Sequence, residues 1–467
     1  MAKEYDLIPR EVKKIETRNR RIMTKIPVPE SLEIIEGLRK YEPRSMSGQP
    51  LVVWDRAEGY NVYDRFGNKW IDFSSGVVVA NAGHCNPDVK KAILEQVEHG
   101  LLHNYCFPSE IRGKLVKKLI DITPESLNKV LLLTTGAEST ECAIKLARTY
   151  GQKMGGKEKI KIVTFDDGFH GRTLGAQQAG GSMKDKEWII NLDPDINQVP
   201  YPNSFKYPWA DVNNPDYSDE ECFKKFLFYL KERNIEPSKI AGIMSETFQG
   251  GWVELMPPGF AQRLRDFCDK YNIVLIFDEI QAGFGRTGKL FGFEHYDVVP
   301  DIICCGKGIS SGMPLSAVIG KEKIMNLYGP NKMTSTHTGN PVCSAAALAS
   351  INYVINNNLI EKVVKLGKIC EVFLGELREK HHNIIGHVSG VGLAWGIIFV
   401  KAGTKDIDPD LAHEIVRISV ENGLLFFAPV GSGATIKVCP PLIITEEVLK
   451  EGLEVFEHSI REAVNGK

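Results

Sequence analysis

Two residues in this chain have the types and surroundings that carbonyl–amine chemistry needs. Asp278 follows the apolar run IVLIF, and Lys307 follows DIICC and a glycine. Both runs are short, unbroken and bounded by turn residues, the pattern of strands buried on both faces of a parallel sheet. Each delivers its polar residue at the carboxyl end of a strand, where open α/β sheets bind ligands. A lysine amine there can condense with an aldehyde. A carboxylate from the neighbouring strand can keep a pyridine nitrogen protonated, so that the ring accepts electrons. The pair points to an aldehyde cofactor with a pyridine ring.

Other elements must surround this pair. The strand at 129–133 runs into TTGAESTECAIKLARTYG, a strand, glycine turn and helix that would aim the N–H groups of Gly136 and Ala137 at an anion. The strand at 161–165 leads into DDGFHGRTLGA, which carries Phe169, His170 and Arg172. The strand IAGIMSE ends on Glu246 and opens ETFQGG, and LSAVIG is a further short strand after Lys307, followed by MTSTHTGNPVCSAAALAS. Residues 191–219, rich in Pro, Asn, Asp and Tyr, read as a long ordered insertion without periodicity.

The words DEIQAGFGRTG, GKGISSGMPLSAVIG and FHGRT resemble the signature of the class III, fold-type I pyridoxal-phosphate aminotransferases. This family includes 4-aminobutyrate, ornithine and acetylornithine aminotransferases, and the resemblance runs roughly from Gly59 to Ile444. It implies pyridoxal 5′-phosphate as cofactor, joined to Lys307 as a Schiff base, with Lys307 also carrying the substrate proton. It further implies Asp278 on the ring nitrogen, Gln281 on the ring hydroxyl, Phe169 against the ring face with His170 beside it, and Gly136 and Ala137 on the phosphate. Ser335 and Thr336 would reach the phosphate of a neighbouring subunit, making a homodimer the smallest complete unit. Arg172 matches an arginine that grips the carboxylate farther from the reacting amine. Glu246, at the edge of the cofactor site, is expected to neutralise Lys437 when no α-carboxylate is present.

Three positions depart from the family pattern. Thr247 stands where a proline usually follows the glutamate, and Ser389 stands where an arginine usually precedes a glycine. Lys437 replaces the arginine that forks onto the substrate α-carboxylate, and a lysine offers a point charge instead of a planar fork.

The resemblance implies a large α/β domain with a central, mostly parallel, seven-stranded sheet between helices. A small α+β domain from the N- and C-terminal segments completes it. The expected boundaries are 1–75 for the arm and first small-domain segment, 76–343 for the large domain and 344–467 for the second segment. Residues 1–45 read as an arm with two mixed-charge helical patterns, too polar to fold alone. LVVWDRAEG, YNVYDRFGN and WIDFSS read as antiparallel strands; VSGVGLAWGIIFV and ATIKVCPPLII read as strands of the C-terminal portion, after one long helix from about Ser344.

With 467 residues, 25% charged and a net charge of −2, the chain has the composition of an ordinary globular enzyme. No basic excess suggests nucleic acid, and no apolar run suggests a membrane span or leader. Ten cysteines without CxxC spacing are expected as buried free thiols in a reducing compartment, so no metal is expected and the location is expected to be cytoplasmic. The expected reaction is transfer of an amine from an ω-amino acid, 4-aminobutyrate first, to a 2-oxo acid such as 2-oxoglutarate. The alternatives are ornithine, lysine or acetylornithine as donor, or amino-acid racemisation or epimerisation on the same scaffold.

Overall fold

A computed structural model describes residues 4–431 and 433–466. They form two compact units, one reaching Asn86 and resuming at Asn358, the other Pro87–Asn357. These divisions fall later in the chain than the expected 75/76 and 343/344.

The unit Pro87–Asn357 is built on seven strands: β1 (Lys129–Leu133), β2 (Lys161–Phe165), β3 (Ile196–Val199), β4 (Ile240–Glu246), β5 (Val274–Asp278), β6 (Ile302–Cys305) and β7 (Ser316–Gly320). Their order across the sheet is β1-β7-β6-β5-β4-β2-β3, and every pairing is parallel except the two made by β7. Alternate residues of the central strands feed two separate cores, as a period of two demands. Ile276 and Met244 join one core with Ala143, Leu146 and Ala147 of helix α1 (Gly136–Gly155). Phe277 and Ile243 join the other, with Phe226 of α2 (Asp219–Glu232) and Phe260 and Phe267 of α3 (Pro258–Tyr271). Burial on both faces is why β4 to β7 read as unbroken apolar runs. Helix α1 comes so near the sheet that a Cβ on Gly151 would lie 2.6 Å from that of Ala241, so only glycine fits there.

The insertion at 191–219 proves to hold the edge strand β3, paired with β2 from Ile162↔Ile196 to Phe165↔Val199. At the sheet edge this strand is only half-buried up to Val199, and Asn197 and Gln198 interrupt its hydrophobic pattern. The long helix expected from Ser344 is two helices. The first, α4, is Pro341–Asn356, and the second, Leu359–Lys380, belongs to the other unit; Asn358 between them is left-handed at φ 51°.

In that other unit the N-terminal arm is part of a sheet. Strands Ile15–Glu16 and Arg21–Ile22 form an antiparallel hairpin, and Arg21 pairs with Lys69 of the strand Lys69–Asp72. The Thr17 hydroxyl accepts the Asn19 and Arg20 N–H groups, a local turn that competes with the helical pattern read there. Ile22, Ile26 and Val28 share a core with Val62 and Trp70, so the arm is less polar in effect than in composition. The expected helix survives as Leu32–Tyr41. Of LVVWDRAEG only Arg56–Glu58 is strand. VSGVGLAWGIIFV divides into Ile385–Val391 and Ala394–Phe399, turning at Gly392 with φ 59°. Eight of the ten cysteines are buried, while Cys85 is exposed and Cys106 half-buried. Among the described residues, no helix is long and apolar enough to cross a membrane.

Candidate active site

The parallel register places Asp278 opposite Glu246 on β4 and opposite Cys304 on β6. Lys307 follows just beyond the end of β6, so Glu246, Asp278 and Lys307 leave the sheet side by side at its carboxyl edge. Two backbone bonds carry this order past the strand ends: Thr247 N–H donates to the Asp278 carbonyl at 3.3 Å and Glu279 N–H to that of Cys304 at 2.8 Å. The first of these needs an amide hydrogen, which a proline at 247 would lack. Lys307 itself is left-handed at φ 43°, a strained conformation for a non-glycine residue at a strand end.

Asp278 is 3% exposed. Its Oδ2 lies 2.9 Å from His170 Nδ1, and its Oδ1 accepts the Ile280 N–H at 3.0 Å. Burial would pull the His170 imidazolium down, but the hydrogen bond and charge of Asp278 outweigh it, and the net direction is upward. A buried carboxylate with two donors on its inner side is a rigid acceptor for a third.

The segment after β2 is tied down at each residue. Phe169 N–H donates to Glu246 Oε2 at 2.9 Å, and the His170 carbonyl accepts the Thr140 hydroxyl of α1 at 2.7 Å. Gly171, at φ 133°, passes so close to α1 that a Cβ would lie 2.6 Å from that of Ala137. Glu246 accepts in addition from Gly250 N–H at 3.0 Å and Gln281 Nε2 at 3.4 Å, and burial pushes its carboxyl up to about 7. Gln281 thus reaches Glu246, a contact that spacing along the chain does not show.

At the start of α1, Thr135 and Glu138 form a capping box. The Glu138 carboxylate accepts the Thr134 and Thr135 N–H groups at 2.9 and 2.8 Å, and the Thr135 hydroxyl accepts that of Glu138. Gly136 and Ala137 are the first-turn amides outside that box, available to an anion. Arg172 holds its guanidinium 5.6 Å over the ring of Phe169, itself 44% exposed. It makes no hydrogen bond or ion pair with any described residue.

Ser335 and Thr336 lie in the loop before α4, with Thr336 exposed; the cap of α4 is Asn340, whose side chain accepts from Val342 and Cys343. That loop is fixed within its own unit by Thr334 Oγ1, 3.0 Å from Tyr105 Oη. Lys437 belongs to the other unit, 3% exposed on the strand Thr435–Val438. It pairs with Gly396, whose opposite partner is Ser389, so two of the three departures from the family pattern share one rung of a sheet.

One buried acid escaped sequence reasoning. Glu279, beside Asp278, is fully buried, accepts Gly292 and Phe293 N–H at 2.7 and 2.8 Å, and is pushed by burial up to about 7. The only signal for it was a second acid directly after Asp278 at the close of an apolar strand.

A strand-end lysine, a buried carboxylate backed by a histidine, and two helix-start amides fit an aldehyde, a protonated ring nitrogen and an anion. Comparison with known proteins agrees. The profile of the family described as Aminotransferase class-III matches residues 44–460. The chain is 33% identical to the alanine/serine racemase of Pyrococcus horikoshii over 96% of this chain and 94% of that protein. It is 34% identical to the 4-aminobutyrate aminotransferase of Mycobacterium leprae, over 94% and 97% of the two chains. Its fold matches an amine transaminase from an uncultivated Pseudomonas species, solved in its pyridoxal-phosphate-bound form. The TM-score is 0.82 at 26% identity, covering 88% of this chain and 95% of that one. The chain belongs to the class-III aminotransferase family.

Proposed function

We propose that this enzyme transfers the amine of an ω-amino acid, 4-aminobutyrate first, to a 2-oxo acid such as 2-oxoglutarate. The cofactor is pyridoxal 5′-phosphate, and the donor set of the site fits it. Gly136 and Ala137 would hold the phosphate, joined across a homodimer by the partner copy's Ser335 and Thr336. Asp278, steadied by His170, would hold the ring nitrogen, Phe169 would cover the ring face, and Gln281 and Glu246 would border the ring. When bound, the cofactor supplies an electron sink for the pair left on carbon when a proton departs. Lys307 Nζ takes that proton from the amine-bearing carbon and delivers it elsewhere, as base and then acid. The homodimer and a cytoplasmic location are part of this proposal.

The single observation that supports an ω-amino donor is the state of Arg172. Its guanidinium stands over Phe169, on the segment that also carries His170, with no anionic partner among the described residues. A distal substrate carboxylate would complete it in a bidentate pair. Racemisation is the second reading, favoured by Lys437: a racemase needs no grip on two different carboxylates, and the usual α-carboxylate fork is missing.

Incubation with 4-aminobutyrate, L-ornithine or L-leucine, each with and without 2-oxoglutarate, followed by chiral chromatography, decides between them. Glutamate formed from 4-aminobutyrate and 2-oxoglutarate supports the proposal. D-leucine formed without an oxo acid, with no glutamate from 4-aminobutyrate, overturns it for the racemase.

A further inference from the structure

Beside the edge strand β3, where β2 ends, the large unit contains a cavity of about 450 Å³ whose lining includes Asp166, Asp167, Lys186, Lys206 and Arg233. That volume is in the range of small-molecule sites, but the walls are charged. Some of the charges are already matched. Lys206 Nζ pairs with the Asp167 carboxylate, and Lys186 Nζ donates to the Gln178 carbonyl at 2.9 Å and to the Gln198 side chain. Two are not. The Asp166 carboxylate receives no hydrogen bond from any described residue, and the Arg233 guanidinium donates none. Arg233 is near enough to favour the charged form of Asp166, yet the two form no ion pair, and burial still leaves the Asp166 carboxyl raised.

An opposite pair that lines one cavity without meeting is the complement of a zwitterion. Asp167 is matched by Lys206 and Asp193 by Arg148, so an anion alone would still leave Asp166 unmatched, and a cation alone would leave Arg233 unmatched. A molecule carrying both charges a few bonds apart satisfies both sides. We propose that this cavity binds a free α-amino acid, its ammonium on Asp166 and its carboxylate on Arg233.

The cavity is joined by covalent and hydrogen bonds to the segments that build the active site. Asp167 is left-handed at φ 62° and is followed by Gly168 and Phe169, whose N–H holds Glu246. Trp252 Nε1 donates to Asp167 Oδ2 at 3.3 Å, and the Gln249 side chain donates to the Asp166 carbonyl. An amino acid seated there therefore bears on Phe169 from one side and on the loop after Glu246 from the other, which makes it a regulatory ligand. The regulatory part rests on the proposed transaminase reaction; the binding part does not.

The test is equilibrium dialysis of the holoenzyme against radiolabelled glycine, L-leucine, L-lysine and L-glutamate in turn, comparing wild type with Arg233→Ala and Asp166→Asn. Arg233 is exposed and follows the last turn of α2, so its replacement leaves the fold alone. For at least one of the four, wild type should bind one equivalent per chain more than either variant. An incompletely lost equivalent should be weakened at least about tenfold, the scale of one charge-assisted contact. Methylamine and acetate, each with one charge, should not displace it. Only the difference between wild type and variant is read, so the result does not depend on which amino acid the active site accepts. Equal binding by all three proteins for all four ligands overturns the proposal, as does displacement by methylamine or acetate alone. The regulatory part is read separately, as a change in KM for 4-aminobutyrate on adding the bound amino acid that Arg233→Ala abolishes; its absence with binding intact reduces the cavity to a passive site.

Discussion

Replacing Glu246 by glutamine separates the charge of this side chain from its hydrogen bonds. The wild-type carboxyl is buried and pushed from its ordinary 4.5 up to about 7. Between those values the folded chain keeps a proton that the unfolded chain has released, so stability falls as pH rises through that window. A shift of that size corresponds to about 3 kcal/mol, fully present above pH 7. Glutamine cannot ionise and escapes the fall. Its amide has one accepting atom, however, while Glu246 accepts from Phe169 N–H on Oε2 and from Gly250 N–H and Gln281 on Oε1. One side must then face a donor, at a pH-independent cost of about 1 to 3 kcal/mol. At pH 5, where about 1 kcal/mol of the wild-type loss has already occurred, Glu246→Gln should be at or below wild type in stability. By pH 8 the difference should move about 2.5 kcal/mol in its favour, reaching parity or better. Urea denaturation of wild type and variant at matched pH from 5 to 8, read as a difference, cancels the titration of every other group. A difference that stays flat over this range means that Glu246 is ionised throughout, and the reasoning fails.

Four further outcomes are expected. Lys307→Ala should show no turnover with any donor, and near-normal turnover would remove the proposed proton carrier. Asp278→Asn should keep the fold but lose on the order of 10³ in rate, as the charge opposite the ring nitrogen disappears; a loss below about tenfold would mean that another group holds that nitrogen. Thr336→Ala should weaken cofactor binding by roughly 1 to 3 kcal/mol, and a heterodimer with Lys307→Ala should retain one fully working site; two impaired sites would place Thr336 in its own subunit's site. Lys437→Arg should lower KM for 2-oxoglutarate by about 1 kcal/mol in binding and leave that for 4-aminobutyrate unchanged, and an effect confined to L/D interconversion would favour the racemase reading.

What the sequence determined by itself is the sheet and the residues at its edge. Strands buried on both faces must be apolar throughout, so IVLIF, DIICC and IAGIMSE declared themselves, and the polar residues that close them, Asp278, Lys307 and Glu246, stood out against those runs. The start of α1 was legible because Thr135, Gly136 and Glu138 act within a few residues of one another. Elements whose stability comes from partners far along the chain were not legible. The arm became a hairpin because Lys69 pairs with Arg21, and β3 exists because β2 offers it an edge. The same holds within the site. His170 on Asp278, Phe169 N–H on Glu246 and Thr140 on the His170 carbonyl join residues separated by 108, 77 and 30 positions. No local spacing encodes such contacts. They are decided when parallel strands bring their carboxyl ends to one edge, where carboxylates leaving water must find whatever donors the adjoining loops present.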